Sequence, residues 1–328
     1  MTTRKDQDQT SLVDQIHHFQ RTGLVGLRTA TAAALAVAGQ HLAHVLKTPE
    51  STLTTSLEAL LGGDTVLEAS RVLQLCQELE LSTDQLMLEL VLVARGHALA
   101  PISGFRVGVV GRGSSGTLYL GFNIEFPGQP LNQTLHAEQC LLSLALNNGE
   151  TGLDALAASD PPSGNSRQFL NELAAASQLR VLLPSLPPTT LSELLPHCFG
   201  PEDLGAENAL LASHPYELEY DGDDAVIAAA AEAAVRAYAP YSNCPSGIAL
   251  ATDTALVTGS CLENAAFNPS LSPLQAALGQ LQARGLSYQD VRRAVLVERQ
   301  PAAISQEGLA RVLLAAVCPG VELEVHHV

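Results

Sequence analysis

Between residues 11 and 97, apolar side chains recur three or four positions apart. "SLVDQIHHFQ", "SRVLQLCQEL" and "STDQLMLELVLVARGHAL" each predict an amphipathic helix, with Ser11, Ser70 and Ser82 as N-caps. From residue 105 the period shortens: "FRVGVV" and "GTLYLG" read as strands joined by the turn-rich "GRGSSG", a hairpin signal. A mixed α/β pattern follows, with a helix at about 133 to 148, another at about 165 to 177, and the strand "LRVLL". Pro, Gly and acidic residues then crowd residues 182–222, which read as a linker, and "DDAVIAAAAEAAVRAY" opens a further helix.

The pattern also repeats. "ALAPISGFRVGVV" aligns with "AYAPYSNCPSGIAL" at an offset of 139, setting Pro101 against Pro240, Ser103 against Ser242 and Gly108 against Gly247. Glu125 then falls near Glu263, and Gln139 near Gln275. Two related domains are expected, at 95–215 and 216–328, after a helical segment at 1–94. The predicted fold class is α/β, each domain a three-layer α/β/α unit around a mixed sheet.

Composition narrows the partners. A formal net charge of −17 repels phosphate backbones and anionic lipid, so long nucleic acid and membrane surfaces are poor partners and a small neutral ligand suits the chain better. No export signal opens the sequence, and the Ala-rich "TATAAALAVAGQHLAHVL" is broken by Gln40, His41 and His44 before it could span a bilayer. It reads as an amphipathic or core helix of a soluble, cytoplasmic protein. The six cysteines form no CxxC pair and are expected to be buried free thiols.

"QTLHAEQCLLSLAL" places His136 and Glu138 at the first turn of a helix that is apolar at most later positions, so a buried helix presents its N–H groups beside ionisable side chains. The second repeat has Ser272, Pro273 and Leu274 there, so only one domain carries this chemistry.

Together with "GTLYLGFNIEF", "SRQFLNEL", "FGPEDL", "APYSNCPSG" and "ENAAFNPSLSPLQAAL", this segment makes the chain from about residue 95 onward resemble the cytidine deaminase family, in its longer homodimeric bacterial type with a degenerate second domain. The resemblance implies hydrolytic deamination of cytidine and deoxycytidine in pyrimidine salvage. In that chemistry a zinc-bound hydroxide attacks the base and a Glu moves the protons. It implies His136 as a zinc ligand, Glu138 as the proton shuttle, Asn123 and Glu125 on the ribose hydroxyl, and Phe105 on the pyrimidine ring. It also implies a homodimer in which Ala239–Gly247 and the "NAAF" segment of one chain help close the site of the other.

The sequence departs from the family where two zinc-binding cysteines belong. It reads Pro162, Ser163, Gly164, Asn165, Ser166, and a neutral serine hydroxyl is a poor zinc ligand. The preceding "LDALAASDP" is likewise poor in the β-branched residues that suit a central strand. One alternative metal set is His136, Cys140 and Asp160. Another is a metal-free site in which Ser163 to Ser166 hold a water or an anion. Three functions follow: a deaminase, a silent pyrimidine-nucleoside-binding homologue, or a metal-free enzyme on a related nucleoside that uses Glu138 as acid or base.

Overall fold

The computed structural model describes residues 52–212 and 215–328. The expected N-cap Ser11 and the Ala-rich helix lie outside them. Three helices come first, α1 (Thr52–Leu61), α2 (Ala69–Glu78) and α3 (Thr83–Gly96), with the short strand β1 (Val66–Leu67) between α1 and α2. Ser82 caps α3 as expected, accepting the Gln85 N–H. Ser70 caps nothing: the chain leaves β1 and enters α2 at Ala69, so Glu68 takes the cap position and Ser70 lies within the helix.

The hairpin strands are β2 (Gly108–Gly113) and β3 (Leu118–Phe122), followed by α4 (Ala137–Asn147), β4 (Leu153–Ala158), α5 (Gly164–Leu170) and β5 (Arg180–Leu182). The linker holds the short β6 (Thr189–Thr190) and α6 (Leu191–Leu194). Next come α7 (Ala225–Val235), capped by Asp224, and β7 (Ser246–Thr252), β8 (Leu256–Ser260), α8 (Pro273–Ala283), β9 (Val291–Glu298), α9 (Glu307–Val317) and β10 (Leu323–His327).

Two mixed sheets result, in the orders β1-β3-β2-β4-β5-β6 and β10-β9-β7-β8. In each, the hairpin and its neighbour pair antiparallel, β4 and β5 or β9 and β10 pair parallel, and the register shifts where the central strand leaves its neighbour, at Arg112/Gly113 and at Ala251/Thr252. β1 adds an antiparallel edge to β3, so the stretch at 52–96 is tied to the first sheet.

Helices cover both faces of each sheet. Leu57, Leu86, Met87 and Leu90 of α1 and α3 pack on Val110, Leu118 and Leu120 of the first sheet, while α7 packs on Ala249, Val295 and Val297 of the second. Between the sheets one continuous core joins α4 and α5 to α8 and α9 through Leu141, Leu142, Phe169, Leu274, Leu278 and Leu313. Each fully buried leucine there stabilises the fold by about 1.5–3 kcal/mol.

Close contact of helix and sheet depends on glycine at matching places. A Cβ on Gly121 would lie 2.2 Å from the Ala137 carbonyl oxygen, and one on Gly259 would lie 2.2 Å from that of Pro273. The "LDALAASDP" segment does form a central strand. Its small Ala155, Ala157 and Ala158 are fully buried, so close packing rather than β-propensity holds it. The second helix ends at Leu170 instead of running to 177, because the Glu172 carbonyl accepts the Leu210 N–H and draws the chain out of the helix. All six cysteines are free, but Cys198 is exposed in the linker and Cys76 is half-buried, which corrects the expectation that all are buried.

Candidate functional site

α4 and α5 point their N-termini toward one place. His136 occupies the N-cap of α4, where its N–H donates to Gln139 Oε1 at 2.9 Å, and Ser163 occupies the N-cap of α5, where its hydroxyl accepts the Ser166 N–H at 3.1 Å. Glu138, 3% exposed, stands in the first turn of α4 and Ser166, 2% exposed, in the first turn of α5. The Ser166 hydroxyl donates to Glu138 Oε2 at 2.7 Å, and the Ser163 hydroxyl donates to Ser166 Oγ at 3.1 Å. A chain of hydroxyls thus ends on a buried carboxylate, a charge-assisted arrangement that compensates Glu138 for its lost hydration.

A second group lies on the loop from 100 to 107. Glu125 accepts the Ile102 N–H at 2.8 Å, the Ser103 N–H at 3.0 Å and the Ser103 hydroxyl. Burial pushes its carboxyl up, but these three donors outweigh burial and hold it below the ordinary carboxylate value. Asn123 braces the same loop at both ends of its amide, accepting from the Val107 N–H at 2.8 Å and donating to the Phe105 carbonyl at 3.0 Å. Phe105 is left 51% exposed on that loop.

The sequence-predicted residues therefore form two groups: Glu138 with Ser163 and Ser166 at the helix starts, and Asn123 with Glu125 under the loop that carries Phe105. A cavity of about 510 Å³ opens beside His136 and Asn165, but its other walls come mainly from the second half of the chain, and Phe105, Asn123, Glu125 and Glu138 do not line it.

The donor set can be set against the tetrahedral thiolate and imidazole site that a structural or catalytic zinc requires. It offers one imidazole, and its hydroxyls are neutral oxygens already engaged with each other and with Glu138. The alternative metal set does not assemble either. Cys140 is buried in the core, where desolvation pushes its thiol up to about 12, and among the described residues no three His, Cys, Asp or Glu side chains come together as a metal site.

Two features escaped the sequence reading. Glu172 is fully buried, yet it accepts hydrogen bonds from the hydroxyls of Tyr238 at 2.8 Å and Tyr241 at 2.6 Å and from the Ala265 N–H at 2.8 Å, tying the segment after α5 to the second half. Burial pushes its carboxyl up against those donors. Gln139 donates to the Pro269 carbonyl at 2.7 Å, and its repeat partner Gln275 donates to that of Gln133 at 2.7 Å, so the two halves clasp each other reciprocally. The alignment of Gln139 with Gln275 was the available signal; nothing in the local pattern marks Glu172.

Comparison with known proteins bears on most of the chain. The family model for the cytidine and deoxycytidylate deaminase zinc-binding region matches residues 191–311. A cytidine deaminase of Serratia proteamaculans (strain 568) is 41% identical over 271 residues, covering 81% of this chain and 92% of that protein. One of Cronobacter sakazakii (strain ATCC BAA-894) is 43% identical over 255 residues, covering 77% and 86%. The crystal structure of cytidine deaminase from Mycobacterium tuberculosis is 30% identical with a TM-score of 0.33, covering 35% of this chain and 96% of that one.

Proposed function

The chain belongs to the cytidine deaminase family, and from that premise we propose that it binds pyrimidine nucleosides without zinc-dependent turnover. The observation that carries this reading is the 2.7 Å hydrogen bond from the Ser166 hydroxyl to Glu138. The family's reaction needs zinc to bring the pKa of a water from 15.7 down to about 7. Two serine hydroxyls and the single imidazole of His136 do not supply the ligands for that, and a carboxylate that already accepts a fixed hydroxyl is placed to hold a ligand rather than to activate a hydroxide. Binding would draw on the exposed ring of Phe105, with Glu125 and Asn123 keeping its loop in shape.

The second reading, hydrolytic deamination to uridine or deoxyuridine in salvage, is favoured by the retained pair of His136 at the N-cap and Glu138 in the first turn. A homodimer belongs to both readings. Its support is Phe267, which is 67% exposed in the segment that the family resemblance assigns to closing the partner's site. Among the described residues no helix is long and apolar enough to cross a membrane.

Calorimetric titration with cytidine and uridine, run beside an ultraviolet deamination assay on the same protein, separates the readings. Saturable binding with no turnover is expected. Turnover that disappears in Glu138→Ala would instead establish the deaminase.

A further inference from the structure

The second half copies the frame of the first atom for atom at one carboxylate. Glu263 accepts the Tyr241 N–H at 2.9 Å, the Ser242 N–H at 3.1 Å and the Ser242 hydroxyl, as Glu125 does from Ile102 and Ser103. Cys261 stands in the place of Asn123 and accepts the Ser246 N–H at 3.4 Å. Ser272 stands in the place of His136 at the cap of α8, and Gln306 in that of Ser163 at the cap of α9.

These four positions, Cys261, Glu263, Ser272 and Gln306, all line the 510 Å³ cavity beside His136. That cavity is thus centred on the second half's counterpart of the candidate site and is closed on one side by the first half.

We propose that this cavity is a second ligand site, one that takes a neutral, hydroxyl-bearing molecule of nucleoside size and rejects its phosphorylated form. Volume sets the size, since cavities of about 300–1,000 Å³ hold small ligands. Lining chemistry sets the class. Leu309 in the wall and Phe267 at the exposed rim offer apolar surface for a flat ring, above the fully buried Leu262 and Leu271. Around them the side-chain amide of Gln306 in the wall and those of Asn132, Asn165 and Asn268 at the exposed rim offer donors and acceptors for hydroxyl and amide groups. Glu263 Oε1 holds only the Ser242 hydroxyl and keeps a lone pair for one ligand hydroxyl. No lysine or arginine lines the cavity, and an anion brought near Glu263 in a chain of net charge −17 meets repulsion without a countercharge.

Equilibrium dialysis with labelled uridine tests the site on four forms of the full chain: wild type, Glu138→Ala, Leu309→Trp, whose indole fills the cavity from α9, and the two substitutions together. Glu138→Ala is expected to keep one saturable uridine per chain, the double variant to lose it, and uridine 5′-monophosphate to compete at least tenfold more weakly than uridine. Asn268→Trp, at an exposed position on the rim, repeats the block should Leu309→Trp fail to fold.

The proposal is overturned if Glu138→Ala binds no uridine up to about 10 mM, where a site of about 1 mM Kd would be nine-tenths filled. It is equally overturned if neither tryptophan changes binding, or if the monophosphate competes as well as uridine. Binding lost in Glu138→Ala but kept with Leu309→Trp alone would remove the second site and leave the proposed function standing.

Discussion

The two halves of the molecule keep one frame and differ in chemistry. Glu125 and Glu263 fasten equivalent loops with equivalent donors, while His136 and Glu138 of the first half are answered by Ser272 and Leu274 in the second. A carboxylate that survives where the ionisable pair does not has a structural duty of its own: it holds the loop whether or not there is anything to react. The first half carries hydroxyls at Ser163 and Ser166 beside Glu138, where the second has Gln306 at the corresponding cap and Leu274 in the helix.

The largest effect is expected where the halves depend on each other. Glu172→Ala leaves the Tyr241 hydroxyl and the Ala265 N–H without their acceptor and the Tyr238 hydroxyl with only the Asn208 carbonyl at 3.2 Å, so at about 1–3 kcal/mol for each orphaned group a loss of roughly 3 kcal/mol is expected in urea unfolding. Glu172→Gln, which keeps an acceptor oxygen, is expected to lose clearly less. Equal losses would mean that shape rather than hydrogen bonding matters at this position.

Gly121→Ala and Gly259→Ala probe the shared frame directly. Each Cβ would meet a helix carbonyl at 2.2 Å, and overpacking of that kind costs about 1–3 kcal/mol. The two midpoints in denaturant should fall by similar amounts; a tolerant site in either half would show that its helix can retreat from the sheet.

Ser166→Ala removes the hydroxyl donor to Glu138 and has no counterpart in the second half. A loss of about 1–2 kcal/mol is expected, together with weaker nucleoside binding. Unchanged binding would separate the hydroxyl chain from the ligand.

The smallest effect concerns acid. Because the folded-state pKa of Glu125 is lowered, its contribution is fully present above the ordinary carboxylate range and is lost as pH falls through the lowered value. Glu125→Gln should therefore reduce stability at neutral pH and flatten the acid limb of a stability profile; an unchanged limb would mean that other carboxylates dominate it.

Much of the frame was legible in the sequence. The hairpin, the helix read from "DDAVIAAAAEAAVRAY", the Ser82 cap and the alignment of Gly108 with Gly247 all rest on local spacing, which the fold preserves. What was not legible depends on partners remote in the chain. The early end of α5 follows from Leu210 pairing with Glu172, the central strand at Leu153–Ala158 follows from packing that favours small side chains, and the role of Ser166 follows from α4 and α5 meeting at their first turns. The motif named Glu138 but not the hydroxyl it accepts, since that contact joins residues 28 apart.

The central claim is that hydroxyls have replaced a metal site while ligand binding remains. Its most direct test is zinc content and cytidine turnover measured on one purified sample, beside Glu138→Ala and beside the double substitution Ser163→Cys with Ser166→Cys. The account predicts no bound zinc and no turnover above the Glu138→Ala background in the natural chain, with zinc gained by the double variant. Stoichiometric zinc in the natural chain, with turnover that Glu138→Ala abolishes, would contradict it.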